Sequence, residues 1–141
     1  MSQDANWRID HAGIGVSDIH ASARFYEIAL GVLGLRPVAR ITRNFEPAND
    51  GDDHNLAGVG FGADYPIFWI DLFHPSALKQ HIAFRATNRG EVEAFFKFAL
   101  EAGGRDNGAP GLREGGYPTG YYAAFVIDPD GNNIEAVFRE N

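Results

Sequence analysis

"DHAGIGVSDIHASARFYEIALGVLG" (residues 10–34) and "QHIAFRATNRGEVEAFFKFALEAGG" (residues 80–104) decide the fold, because they are two copies of one pattern. At an offset of 70 residues, His11 falls on His81, Phe25 on Phe95 and Tyr26 on Phe96. Ala29, Leu30 and Gly34 fall on Ala99, Leu100 and Gly104. Each copy reads as a short strand, a helix cap, a helix and a glycine stop. In the second copy, Val92, Phe95, Phe96, Ala99 and Leu100 follow the i, i+3, i+4, i+7, i+8 spacing of an amphipathic helix. Asn88, with Glu91 three residues on, resembles a capping box, and Gly103 and Gly104 end the helix. The first copy is capped by Ser17 or Asp18 and stops near Gly31 or Gly34.

Working outward, each copy is followed by three stretches of strand character. In the first half they span roughly 36–44, 56–62 and 66–73, with the polar loop "EPANDGDDHN" between the first two. In the second half they span roughly 105–113, 121–127 and 133–139. The chain therefore reads as βαβββ twice, an α+β class. One domain is expected over 1–141: module 1 about 7–73, a linker 74–78, and module 2 about 79–139.

Side chains alternate across a strand, so each strand has a core face and an opposite face. Ala12, Ile14 and Val16 share one face, and His11, Gly13 and Gly15 the other. Ile82, Phe84 and Ala86 oppose His81, Ala83 and Arg85. At the far end, "DPDGNNIEAVF" (128–138) opens as a turn, with φ preset at Pro129 and φ > 0 accepted at Gly131. It continues as a strand in which Ile134, Ala136 and Phe138 oppose Glu135. A carboxylate in an apolar strand is costly to bury unless it is paired. Taken singly, His11, His81 and Glu135 read as hydrogen-bonded or solvated strand residues. Together, on faces turned from the helices, they form a ligand set suited to Fe, Mn, Zn, Ni or Co, with positions left open for water and substrate.

Composition narrows the class. With 12 basic and 19 acidic residues the net charge is −7, and no basic cluster suggests binding to nucleic acid or an anionic membrane surface. The chain has no cysteine, so disulfides and thiolate metal sites are excluded. "MSQDANW" lacks the features of a signal peptide, and no apolar run reaches membrane-spanning length, so a cytoplasmic location is expected.

On "DHAGIGVSDIHASARFYEIALGVLGL", "QHIAFRA" and "AAFVIDPDGNNIEAVF", the chain resembles the vicinal oxygen chelate superfamily. This is the group of glyoxalase I, bleomycin-resistance proteins, fosfomycin-resistance enzymes and extradiol dioxygenases. The resemblance implies two βαβββ modules whose mixed sheets curl around a cleft. It implies His11, His81 and Glu135 as metal ligands, with a divalent cation chelating oxygens of a small-molecule substrate. It also implies a homodimer. The activity implied is that of a metal-dependent lyase or dioxygenase, or alternatively metal-free sequestration of a small molecule as in bleomycin resistance. A fourth ligand depends on the strand "PIFWIDLF" (66–73): it is Asp71 if Ile70-Asp71-Leu72 is the match, whereas in the favoured register, two residues away, Trp69 stands there, lines the cleft and leaves three ligands. Trp69, Tyr117 and Arg40 are candidates for the substrate cleft. Tyr121, together with Glu135, is a candidate for catalysis because a phenol can serve a substrate oxygen.

Overall fold

Each copy of the repeat folds as read. The computed structural model describes residues 8–49 and 51–140. Module 1 comprises β1 (Ala12–Gly15), α1 (Ile19–Gly31), β2 (Arg36–Thr42), β3 (Leu56–Gly62) and β4 (Phe68–Asp71). Module 2 comprises β5 (His81–Arg85), α2 (Arg89–Glu101), β6 (Arg105–Leu112), β7 (Tyr121–Ile127) and β8 (Asn133–Arg139). Asp18 caps α1 by accepting from the amides of His20 and Ala21, and Asn88 caps α2 by accepting from Glu91 N. The Glu91 carboxylate does not close the box onto the cap residue. It accepts instead from Thr87 N and Thr87 Oγ1, one residue earlier.

The two modules form two four-stranded mixed sheets, ordered β1-β4-β3-β2 and β5-β8-β7-β6. In each, the first strand runs parallel to the last, and the other neighbours are antiparallel. The two repeated modules, each a mixed sheet with one helix, are the architecture expected, and the two sheets remain separate and do not close into one barrel. The reason lies in the core. Helix α1 packs on the first sheet, α2 packs on the second, and the two helices pack on each other. Phe25, Tyr26, Phe61, Phe68, Phe84 and Phe95 belong to a single buried cluster spanning both modules. Phe68 of β4 meets Phe84 of β5 edge to face at 5.2 Å, a favoured aromatic geometry. The inner face of each sheet is committed to this core, so its opposite face points away from it.

The turn ahead of β8 ties the modules together. Asp128 is buried and accepts from Asp130 N, Asn132 N and Asn132 Nδ2 of its own turn. It also accepts from the hydroxyl of Tyr26, a fully buried residue of α1. Asp130 accepts from Ser17 Oγ at 2.6 Å, just ahead of α1. Asn132 Oδ1 accepts from Gln80 N at the entry to β5. Gly131 adopts φ 94°, as the turn reading required. A tight polar turn thus fixes β8, and with it Glu135, against both modules.

Candidate functional site

Glu135 sits in the middle of β8, paired across the ladder with Ala83 of β5 and Phe125 of β7. It is buried on the outer face of the second sheet, beside a small cluster of Tyr121, Ala123, Phe125 and Val137. Both carboxylate oxygens have partners. His81 Nε2 lies 3.0 Å from Oε1, and the Tyr121 hydroxyl donates to Oε2. The other ring nitrogen of His81, Nδ1, is 2.9 Å from the carbonyl oxygen of Asn133. A carbonyl can only accept, so Nδ1 carries a proton and Nε2 is the atom turned toward the carboxylate. This backbone partner fixes the ring in the orientation a metal-ligating histidine takes. His81 also stacks on Phe125 at 6.3 Å.

Tyr121 is a hydrogen-bond donor. Burial, then the hydrogen bond to Glu135, push its phenol up to about 12, so it keeps its proton at neutral pH. Tyr117, on the loop before β7, lies 5.0 Å from Tyr121 and is exposed. Arg139 approaches the Tyr121 ring and Arg113 the Phe125 ring. Arg113 was missed by sequence reading. It is held by donating to the carbonyls of Gly111 and Ala109 across the irregular β6, where no spacing signal exists.

His11 is on the other sheet. It lines a cavity of about 760 Å³ with Trp69, Asp71, Phe45, Tyr65 and Phe73. Its Nδ1 is 2.6 Å from Asp10 Oδ1, which also accepts from Tyr65 at 2.8 Å, and these two hydrogen bonds hold the Asp10 carboxyl below its ordinary range. With Nδ1 on a carboxylate, Nε2 of His11 is the nitrogen left for a further partner. Among the described residues of one chain, no three histidine, aspartate or glutamate side chains are grouped closely enough to hold a metal ion. The structure thus brings His81, Glu135 and Tyr121 together, and His11 with Trp69 and Asp71, but does not join the two groups within one chain.

Strand register identifies the counterpart of Glu135 in module 1. Glu135 pairs with Ala83, and Ala83 repeats Gly13, which pairs with Trp69. Asp71 pairs with Gly15, two residues further on. Gly60 gives the Trp69 indole its room: a Cβ there would stand 2.8 Å from Cε2. Asp71 is mostly buried, and its Oδ1 accepts from Phe73 N and His74 N. Arg40 lies elsewhere, in a shallow groove with Arg36 and Asp64. Its exposed position on the edge strand β2 separates it from the cavity that holds His11.

The Glyoxalase/Bleomycin resistance protein/Dioxygenase superfamily matches residues 8–136. Among solved structures, a glyoxalase/bleomycin resistance protein from Albidiferax ferrireducens T118 is 26% identical, with a TM-score of 0.67 over 93% of this chain and 98% of that one. A glyoxalase-related enzyme from Fulvimarina pelagi is 21% identical, with a TM-score of 0.64 over 91% of this chain and 86% of that one. Glyoxalase I from Zea mays is 20% identical, with a TM-score of 0.61, and this chain covers 45% of its length. The last two likenesses speak for the fold alone. Among curated proteins, none matches this chain. No helix among the described residues is long and apolar enough to cross a membrane. With its doubled βαβββ plan and a match over nearly its whole length, the chain belongs to the Glyoxalase/Bleomycin resistance protein/Dioxygenase superfamily.

Proposed function

We propose that this chain is a divalent-metal-dependent enzyme of the glyoxalase/dioxygenase type, acting on a small molecule that presents oxygen atoms to the metal. The observation that carries the reading is the His81–Glu135 pair. It combines a buried carboxylate with an imidazole whose Nδ1 is engaged by a carbonyl and whose Nε2 is 3.0 Å from a carboxylate oxygen. A cation held by the two would offset the cost of desolvating the carboxylate. The donor set suits Fe, Mn, Zn, Ni or Co, and excludes none of these.

His11 is the third ligand, supplied by a second copy of the chain in a homodimer. Its Nε2 is left free by the Asp10 hydrogen bond. The cavity is lined by the exposed apolar residues Phe45, Tyr65 and Phe73, while Leu112 and Tyr117 are exposed on module 2. Apolar patches of this kind mark association surfaces. A two-fold dimer laying module 1 of each chain against module 2 of the other would complete two sites. Trp69, at the position equivalent to Glu135, gives the cavity an apolar wall, and the metal keeps three protein ligands. Asp71 is left outside the ligand set.

A bound divalent cation supplies Lewis acidity at the substrate oxygens. The residues of the chain do the rest. Glu135 and His81 fix the position of charge, and the Tyr121 phenol, which stays protonated at neutral pH, is a donor to Glu135 or to a substrate oxygen. Trp69, Phe45 and Phe73 exclude water from the substrate's body. The test is metal analysis of protein purified without chelator, repeated on His81→Ala. Stoichiometric metal that is lost in the variant supports the reading. Absence of metal, with no rise in melting temperature on adding Mn²⁺, Fe²⁺, Zn²⁺, Co²⁺ or Ni²⁺, would sink it and favour a metal-free binding protein.

A further inference from the structure

The residues just after β4 form a second device that the ligand set does not use. His74 Nδ1 lies 2.9 Å from Asp71 Oδ1 and 3.0 Å from Oδ2. A carboxylate accepts, so Nδ1 carries the proton and Nε2 is the basic nitrogen. Nε2 of His74 has no hydrogen-bond partner among the described residues, and the ring is largely exposed, at 71%. His74 and Asp71 both line the cavity that holds His11 and Trp69. The carboxylate is not free to wander, because Oδ1 also accepts from Phe73 N at 2.9 Å and His74 N at 3.0 Å. Nor is the backbone of His74: a Cβ on Gly15 would stand 2.1 Å from its carbonyl oxygen, so β1 is packed directly against it. A mostly buried, backbone-held carboxylate thus orients an imidazole at the wall of an apolar cavity.

We infer that His74, oriented by Asp71, is the proton acceptor of this cavity. It takes a proton from an acidic O–H or C–H group of the bound small molecule. The substrate's O–H or C–H bond breaks and its electron pair stays on the substrate, while a new N–H bond forms at Nε2. The resulting imidazolium stays paired with Asp71. A base, a group that orients it and a cavity for the reacting atom are the parts that proton abstraction requires. Asp71 is then a positioning residue, acting through His74. The inference rests on the proposal that this cavity is part of the active site.

The test uses diethyl pyrocarbonate on the protein as purified, at about pH 8, where imidazoles are largely neutral. The nucleophilic nitrogen attacks a carbonyl of the reagent, an N–C bond forms, ethyl carbonate leaves, and the other ring proton passes to solvent. Peptide mass spectrometry follows each histidine separately. Carboxylate-backed His74 is expected to react about threefold or more faster than exposed His20 and His54. Asp71→Asn, which keeps an oxygen to accept from Phe73 N and His74 N, is expected to slow His74 toward those two without changing their rates. A His74 no faster than His20 and His54, or unmoved by Asp71→Asn, overturns the inference. Nitrogen NMR is a second reading: a His74 ring protonated at Nε2 rather than Nδ1 also overturns it. Metal content keeps the two proposals apart. His74→Gln and Asp71→Asn are expected to retain any metal that His81→Ala loses. Loss in Asp71→Asn would make Asp71 a ligand and refute its role here. A protein without metal would fail the earlier reading while leaving the reactivity result to stand or fall alone.

Discussion

Replacing Tyr26 by Phe removes one oxygen atom and isolates one interaction. The Tyr26 ring is fully buried between Phe25, at 4.9 Å, and Phe68, at 5.1 Å, and those contacts survive in phenylalanine. What disappears is the hydroxyl's donation to Asp128, the hydrogen bond joining α1 to the turn before β8. Asp128 keeps three donors: Asp130 N at 2.9 Å, Asn132 N at 2.8 Å and Asn132 Nδ2 at 2.9 Å. The loss is therefore one hydrogen bond to a charged, buried acceptor, about 1.5–3 kcal/mol. For a domain of this size that corresponds to a fall in Tm of roughly 4–10 °C. Asp128→Ala strips the acceptor from all four donors, two of them backbone amides, and should cost about 4 kcal/mol or more. The internal control is Tyr122→Phe, which removes a comparable hydroxyl from Glu93, at 2.7 Å, near the surface of the molecule. There water replaces the lost partner, and about 0.5–1 kcal/mol is expected. Urea unfolding followed by circular dichroism gives all three values, with an unchanged m-value showing that stability, and not the surface exposed on unfolding, is what changed. If Tyr26→Phe costs no more than Tyr122→Phe, the view of the turn as a latch between modules is wrong.

Other outcomes follow from the same geometry. Mixing His11→Ala with His81→Ala chains through unfolding and refolding should restore about a quarter of wild-type metal binding: half the dimers are mixed, and each mixed dimer has one intact site of two. A site within one chain restores none, and metal analysis distinguishes the cases. Gly62→Ala would set a Cβ 1.8 Å from the Tyr65 carbonyl oxygen, so the hairpin must open; a loss of about 3 kcal/mol is expected in urea unfolding. Trp69→Glu places a carboxylate at the position equivalent to Glu135 and should tighten metal binding measured by calorimetry, while weakening retention of apolar ligands by the cavity. Arg89 holds the Glu140 carboxyl below its ordinary value through an exposed pair. Its contribution is present above that ordinary value and lost as pH falls through the lowered one. The stability gap between wild type and Arg89→Ala should therefore narrow on acidification from about pH 6 to pH 3, leaving the packing of Arg89 on Tyr122.

The legible parts of the sequence were those governed by local rules. The offset of 70 located both helices, and Asp18 and Asn88 cap them as residues of that type do. Strand alternation placed Glu135 opposite Ile134 and Ala136, which are fully buried in the helix-packed core. It could not foresee that Glu135 would be buried as well, because the covering came from Tyr121, Phe125 and Val137 on the outer face. Parity also left Trp69 and Asp71 on one strand face, since their separation of two residues is the strand period itself. Only the pairing of β1 with β4 resolves it, by setting Gly13 against Trp69. The Asp71–His74 pair was illegible for another reason. It is formed by a turn with no periodicity, and "HPSALK" reads as a plain connection until the carboxylate is seen capping it.

The repeat makes the two modules comparable position by position, and the comparison shows a division of labour. At equivalent places module 2 carries His81 and Glu135, while module 1 carries His11 and Trp69. One substitution in the pattern converts a charged pocket into an apolar one. Trp69 lies across Gly60, which occupies the paired position on β3, while Glu135 is opposite Phe125 on β7 and is capped by Tyr121. A carboxylate at position 69 would meet no tyrosine from β3, whose residues facing β4 are Gly58, Val59, Gly60 and Phe61. The absence of a donor there means that a second buried carboxylate would be unpaired and costly without a cation. Under the proposed function, module 1 would hold the body of the small molecule and module 2 the charge. The latch at Asp128 matters for the second task, because it sets where β8 begins. A strand displaced by one residue would turn Glu135 into the helix-packed core and bring Ile134 to face His81.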